Sequence, residues 1–123
     1  MIIIWIALFY FVHLYTNTNK MDPIKEQYEN RRNEFVNALQ QMIDEYYKKH
    51  LPVLEPPKIT VNPGRKFDKL VARGNGVHCF IEKITGDIYK AATWSAVAKH
   101  ARGNIYNEDM LKGVDVYGAD YLI

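Results

Sequence analysis

Two side chains with reactive chemistry, His78 and Cys79, are neighbours in the sequence. The alternation of residues from Val77 to Lys83 predicts a β-strand, in which neighbouring side chains point to opposite faces. A nucleophile and its base must reach each other, so this pair cannot act as one. Val77, Cys79 and Ile81 are predicted to share one face, and Cys79 is interpreted as a buried thiol.

Other catalytic and metal-binding patterns are missing from the sequence. The four histidines have no metal-ligand spacing, and a single cysteine allows neither an internal disulfide nor a cysteine-rich zinc site. Restriction-type nucleases carry, on a hairpin, an acidic residue and a lysine that are separated by one residue. Here Glu82-Lys83 has no spacer, and the segment from Asp87 to Lys90 has one residue too many. The sequence therefore predicts a protein that is not an enzyme and that holds neither a cofactor nor a metal.

Basic residues are concentrated in the middle of the chain. Residues 57–104 contain nine Lys/Arg against three Asp/Glu, whereas residues 20–56 contain six against seven and residues 105–123 contain one against four. A basic surface on a small domain is typical of a polyanion partner, although it can also be an ordinary solvated surface. We therefore predict contacts to the phosphates of nucleic acid without reading of base sequence. The predicted contact residues are Arg65, Lys66, Lys69, Arg73, Lys90, Lys99 and Arg102.

Two aromatic residues, Tyr89 and Trp94, are close in sequence to these cations and could stack on bases. Trp94 also begins the apolar face of a predicted helix, so burial in the core is its simpler interpretation. Lys99 and Arg102 are expected at the exposed end of that helix, where cations complement the helix dipole. Replacing both by alanine is expected to change stability little.

A long amphipathic helix is predicted from Asp22 to Lys49, with Asp22 as its N-cap and Pro23 as its first residue. Apolar residues recur along it every three or four positions and form a narrow stripe. This stripe either packs on the chain's own sheet or pairs with a second copy as a homodimer. The stripe consists of Ile24, Tyr28, Phe35, Leu39, Met42 and Tyr46, with Arg31 filling a gap.

Short alternating segments in the second half of the chain predict an antiparallel meander. Gly74-Asn75-Gly76 is typical of a hairpin turn, and Gly86 can supply the positive φ that a second turn needs. Apolar residues in the acidic tail indicate that the tail docks on the core. The predicted strands are Lys58–Asn62, Arg65–Arg73, Val77–Lys83 and Asp87–Ala91.

A short helix is predicted from Trp94 to Ala101, because this stretch is rich in alanine. Thr93 is its predicted N-cap, and Gly103 is placed where a helix often ends. The predicted fold class is therefore α+β, with a long N-terminal helix, a three- to four-stranded antiparallel meander and a short helix after the last hairpin.

The first 20 residues differ in character from the rest. Met1 to Tyr15 is almost wholly apolar, but it is shorter than the ~20 residues that a membrane helix needs. It lacks the basic start and the cleavage site of a secretory signal. Residues 1–20 are interpreted as a membrane anchor, a poorly matched signal, or an upstream extension if translation starts at Met21. In each case residues 21–123 are predicted to form a single α+β domain.

The segment from Val77 to Asn104, above all TGDIYKAATW and AKHARGNI, resembles small uncharacterised proteins encoded by phages and other large DNA viruses. The resemblance implies a viral origin and a location in the host cytoplasm or the virion, with membrane association if residues 1–20 are kept. It carries over no activity and no site. The alternative to nucleic-acid binding is a viral structural or assembly protein that is anchored by residues 1–20 and associates through the long helix.

Overall fold

The computed structural model describes residues 22–121 of the chain, so the predicted leader lies outside the described residues. Helix α1 spans Pro23–His50, as predicted to within a residue at its end. Asp22 caps it, because its Oδ1 accepts a hydrogen bond from the amide of Ile24 at 3.0 Å. The chain divides into two units, residues 1–30 and 31–123, and the boundary lies within α1.

The buried stripe of α1 differs slightly from the predicted one. Phe35, Leu39 and Ile43 have no exposed surface, whereas Met42 is only half-buried. The buried residues are therefore spaced four apart as far as Ile43, whereas the prediction placed Met42 at this point of the stripe. Ile24, the first predicted member, is 75% exposed.

Within the described residues, five strands follow α1 and form one antiparallel sheet in the order of the sequence. The α+β class and the antiparallel meander are thus confirmed, although the sheet has five strands and the prediction was three to four. The Gly74–Gly76 turn is also confirmed, since the φ values of Gly74 and Gly76 are 88° and 87°. The strands are β1 (Ile59–Asn62), β2 (Phe67–Ala72), β3 (Gly76–Glu82), β4 (Asp87–Tyr89) and β5 (Gly103–Asn104).

One face of the sheet, here called the inner face, packs under residues 31–50 of α1. Leu70 on β2 pairs with Cys79 on β3, Ile81 pairs with Ile88 on β4, and all four side chains are fully buried. Gln40 ties α1 to the first strand, because its amide oxygen accepts from the Ile59 amide at 2.8 Å. Residues that alternate with these along each strand lie on the opposite, outer face.

A β-bulge interrupts the pairing of β2 with β3 at His78. Leu70 pairs with Cys79 but Val71 pairs with Val77, which leaves His78 as the extra residue. Val77 therefore shares the face of Val71, and the prediction that it shares the face of Cys79 was wrong. Burial of Cys79 is confirmed, and this burial raises the pKa of its thiol to about 12.

The predicted helix from Trp94 to Ala101 is wrong, because residues 51–121 contain no α-helix. Amides in this stretch and just after it instead bond to carbonyls of β4 and of the residue that follows β4. The amide of Ala98 donates to Lys90 at 2.8 Å, and the amide of Arg102 donates to Ile88 at 2.7 Å. These bonds bring the chain back beside β4 as the short strand β5. Sheet pairing thus overrides the helix propensity of the alanine-rich run.

The C-terminal segment docks on the sheet, as the sequence indicated. Val114 and Ala119 form an isolated antiparallel bridge, and both are buried. The backbone carbonyl of Asp115 lies 2.8 Å from Nε2 of His78, whose side chain is 2% exposed. The tail therefore covers the bulge.

A carboxylate lies in the core between α1 and the sheet. Asp68 is on the inner face of β2 and has no exposed surface. Its Oδ2 lies 2.9 Å from the guanidinium of Arg32 on α1, and its Oδ1 lies 3.7 Å from the ammonium of Lys83. The Arg32 side chain is only 15% exposed, so water screens this ion pair poorly.

Replacing Asp68 by alanine is expected to lower the free energy of unfolding by about 3 kcal/mol, because the largely buried guanidinium of Arg32 then loses the carboxylate that faces it. Urea denaturation measures the change. Glu55→Ala, at an exposed carboxylate in the loop after α1, is the control. A loss under about 1 kcal/mol, the range of surface ion pairs, would contradict this account.

Stability is expected to fall as the pH drops below His78's ordinary pKa of 6.5. Burial lowers the pKa of His78 in the folded chain, the nearby Lys90 adds to the effect, and Asp115 opposes it. The unfolded chain therefore binds a proton that the folded chain does not, which favours unfolding below pH 6.5.

Urea denaturation at about pH 7.5 and at about pH 5.5 measures the free energy of unfolding of the wild-type chain and of His78→Gln. The fall in stability between the two pH values is expected to be larger for the wild-type chain. Glutamine has no titrating group and can still donate to the Asp115 carbonyl. An equal fall in stability for both chains would assign the pH dependence to other groups.

Candidate nucleic-acid interface

The outer face of the sheet carries a group of aromatic rings. Lys69 on β2 pairs with Phe80 on β3, which pairs in turn with Tyr89 on β4. The ring of Phe67 meets those of Phe80 and Tyr89 edge to face, with centroids 6.2 and 5.7 Å apart. Such contacts between rings are favourable and fix their orientation.

Trp94 joins this group from the loop that follows β4. The ammonium of Lys69 lies 4.3 Å from the centroid of the Trp94 ring and 5.9 Å from that of Phe80. Trp94 is 56% exposed, so the interpretation of this residue as part of the core was wrong. Phe67, Lys69, Phe80, Tyr89 and Trp94 are called the outer-face cluster below.

Backbone hydrogen bonds hold Trp94 in place outside the core. The amides of Ala92 and Thr93 donate to the carbonyl of Ala96 at 2.9 and 3.2 Å, and Ala91 forms a bridge with Val97. These bonds close a tight loop around Trp94. In this loop Trp94 stays 56% exposed while its ring contacts the ammonium of Lys69 on the sheet.

Two of the seven predicted cations lie at the outer-face cluster. Lys69 is one of its members, and the ammonium of Lys66 lies 5.4 Å from the centroid of the Phe67 ring. Cations this close to ring faces are attracted by the π-electrons. The structure thus brings positive charge and aromatic surface together on β2.

Three further predicted cations are exposed but lie away from the rings. Arg65 precedes β2 and Arg73 follows it, so they mark the two ends of that strand. Lys99 lies in the segment that leads to β5. Their side chains face solvent and can meet a polyanion that runs along the sheet.

The other two predicted cations bond to the chain itself. The ammonium of Lys90 donates to the carbonyl of Ala119 at 3.0 Å and lies 3.8 Å from the centroid of the Tyr121 ring. The guanidinium of Arg102 donates to the carbonyls of Lys99 and His100 at 3.1 and 2.9 Å. Their charges therefore hold loops in place.

Negative charge borders the cluster on one side. Burial raises the pKa of Tyr89, and the nearby charges of Glu82 and Asp87 raise it further. Glu82 accepts from the Thr85 hydroxyl, and Asp87 accepts from the Asn104 side chain, so both carboxylates are held in place. Glu82 is the cross-strand partner of Phe67, so one of these carboxylates lies beside the end of the cluster that carries Lys66.

Residues 22–121 show neither a metal-binding cluster nor a membrane-spanning helix. That range holds no group of three or more His, Cys, Asp or Glu side chains that could bind a metal ion. None of its helices is both long and apolar enough to span a bilayer.

Sequence reasoning did not find Phe67 and Phe80 as members of the site. The sequence signal for these two residues was a strand face that mixes aromatic and polar side chains. By alternation, Phe67 shares a face with Lys69, and Phe80 shares a face with His78. An aromatic residue on an otherwise polar strand face indicates a surface that is used for packing or binding.

The structure changes what is expected when Lys99 and Arg102 are replaced by alanine. Arg102→Ala is expected to lower the free energy of unfolding by about 1.5 kcal/mol, because two charge-assisted hydrogen bonds to carbonyls are lost. Lys99→Ala should change it by under about 0.5 kcal/mol, as is usual at an exposed site. Urea denaturation of the two single variants compares them, and equal values would contradict a structural role for Arg102.

Comparisons with known proteins place the chain in a family without assigning an activity. A family model described as a family of unknown function (DUF7717) matches residues 11–121. Neither the curated proteins nor the solved structures gave a match. The matched range includes every residue of the outer-face cluster and all seven predicted cations. Because the match covers most of its length, the chain belongs to this family of unknown function, DUF7717.

Proposed function

We propose that the protein binds nucleic acid through the outer-face cluster and the cations around it, without reading base sequence. The observation that carries the proposal is the position of the Lys69 ammonium on the outer face, 4.3 Å from the centroid of the exposed Trp94 ring and 5.9 Å from that of Phe80. Positive charge meets phosphates, and exposed rings meet bases, so the two kinds of group together suit nucleic acid.

The charge distribution supports the same proposal. The segment from residue 57 to residue 104, which forms the whole sheet, has nine basic and three acidic residues. One of those three acids, Asp68, is buried against Arg32 and does not reach the surface. Lys83 also lies 3.7 Å from Asp68, and Lys90 and Arg102 bond to backbone carbonyls, so the solvated positive charge comes from the other six basic residues of this segment.

An assembly role through α1 is the weaker of the two proposals. Phe35, Leu39 and Ile43 are buried within a single chain, which accounts for that part of the predicted stripe without a second copy. The viral origin, the cellular location and the role of residues 1–20 stay predictions.

The affinity of this complex is expected to fall steeply with salt. If about four phosphates are contacted, log affinity should fall with log salt concentration at a slope of roughly −3 to −4, because each contact releases counterions. Lys66→Ala combined with Lys69→Ala should weaken binding and flatten the slope by about two. Fluorescence anisotropy of labelled DNA and RNA, both single- and double-stranded, measures the affinity.

The matched control is Lys48→Ala combined with Lys49→Ala, which removes the same charge from two exposed positions at the end of α1. Thermal denaturation checks that both double variants fold. Absence of binding to every probe at tens of micromolar would contradict the proposed function. An equal effect of both double variants would show attraction by net charge and not by the outer face.

A further inference from the structure

We propose that the ligand of the outer-face cluster is a single-stranded nucleic acid, one base of which stacks on the indole of Trp94. This inference rests on the proposed function and names its ligand more closely. It follows from three features of Trp94: its exposure, the hydrogen bonds within its loop and the cation beside its ring.

Trp94 offers a large aromatic surface to solvent. The residue is 56% exposed, whereas Phe80, in the same cluster, is only 4% exposed. The ring offers area to a flat ligand at little cost in conformational entropy, because it has few rotatable bonds. Free bases are flat and stack on aromatic rings regardless of their identity.

The loop holds the indole ready for contact. Residues 92–96 close on themselves through the bonds to the Ala96 carbonyl, and the amide of Ser95 also donates to the hydroxyl of Thr93 at 3.4 Å. The Ala98 amide fixes the far end of the loop on Lys90. A side chain that is already positioned loses less freedom on binding, which favours affinity.

The cation sets the orientation of the ligand. The ammonium of Lys69 lies over the indole at 4.3 Å from its centroid, so a base stacks on the remaining open part of the ring. A phosphate next to that base then lies within the reach of Lys69 or Lys66. One nucleotide is thus held at two points, its base by stacking on Trp94 and its phosphate by the charge of a lysine.

Base accessibility selects a single strand over a duplex. In a duplex each base is covered on both faces by its neighbours, and exposing one costs a few kcal/mol. The bases of a single strand are already available to an exposed ring. The outer-face cluster should therefore prefer a single strand of DNA or RNA over the matching duplex.

The test compares four labelled probes of about 12 nucleotides, within the site sizes of known single-strand binding domains. They are a DNA strand, an RNA strand of the same sequence, the DNA duplex, and an abasic DNA strand that keeps the phosphates but has no bases. The full chain should bind both single strands roughly 5- to 100-fold more tightly than the abasic strand. Binding to the duplex should be weaker than to either single strand.

Variants of Trp94 separate stacking from charge. Trp94→Ala should bind the DNA strand and the abasic strand equally, whereas Trp94→Phe should recover part of the difference. Tyr117→Ala is the matched control, since Tyr117 is an aromatic residue with 69% exposure that contacts Tyr46 on α1. It should behave as the wild type does. Thermal denaturation checks the folding of all three variants.

Tryptophan fluorescence gives a direct signal. The chain has two tryptophans, Trp5 and Trp94, so Trp94→Phe leaves only Trp5. Quenching by the DNA strand in the wild type that is lost in Trp94→Phe would assign the stacking to Trp94. Undiminished quenching in that variant would overturn the assignment.

The failures of the two proposals are distinguishable. Equal affinity for the DNA strand and the abasic strand in the wild type would overturn stacking while leaving phosphate binding intact. Equal or tighter binding of the duplex would overturn the preference for a single strand. Absence of binding to all four probes would overturn the proposed function and this inference with it.

Discussion

The ion pair between Asp68 and Arg32 is the constraint on which the rest of the structure depends. A carboxylate without exposed surface is stable only where a charged partner lies close by, so α1 must present Arg32 to β2. Phe35, Leu39 and Ile43 then fall on the inner face in the following turns. Gln40 completes the arrangement through its bonds to the carbonyl of Pro57 and the amide of Ile59.

Covering one face of the sheet with α1 leaves the other face for a different use. A meander of five short strands has only two faces, and the inner one is filled by the helix. The docked C-terminal segment covers the outer face at the bulge, where it meets His78. Within the outer-face cluster Trp94 stays well exposed and Phe80 is covered. The aromatic and basic character of the cluster sets the chemistry of the partner that we propose.

The path of the chain after β4 determines which cations are available at the surface. Because this segment returns as β5 and not as a helix, Trp94 is directed outwards and the guanidinium of Arg102 turns onto loop carbonyls. Lys90 is held in a similar way by the carbonyl of Ala119. The basic residues predicted as one surface thus have two physical roles, some facing solvent and some stabilising the fold.

The sequence by itself determined α1 with its Asp22 cap, the strands of the meander, the glycine turns and the burial of Cys79. Each of these depends on local periodicity or on the φ of one residue, which neighbours in sequence report directly. Only the tertiary structure decided the path after β4, the face of Val77 and the exposure of Trp94. These depend on pairing between separate segments of the chain. Examples are the hydrogen bond from the Arg102 amide to the Ile88 carbonyl and the pairing of β2 with β3 that leaves a bulge at His78. Helix propensities differ by less than about 1 kcal/mol per residue, so the pairing of β5 with β4 outweighs them.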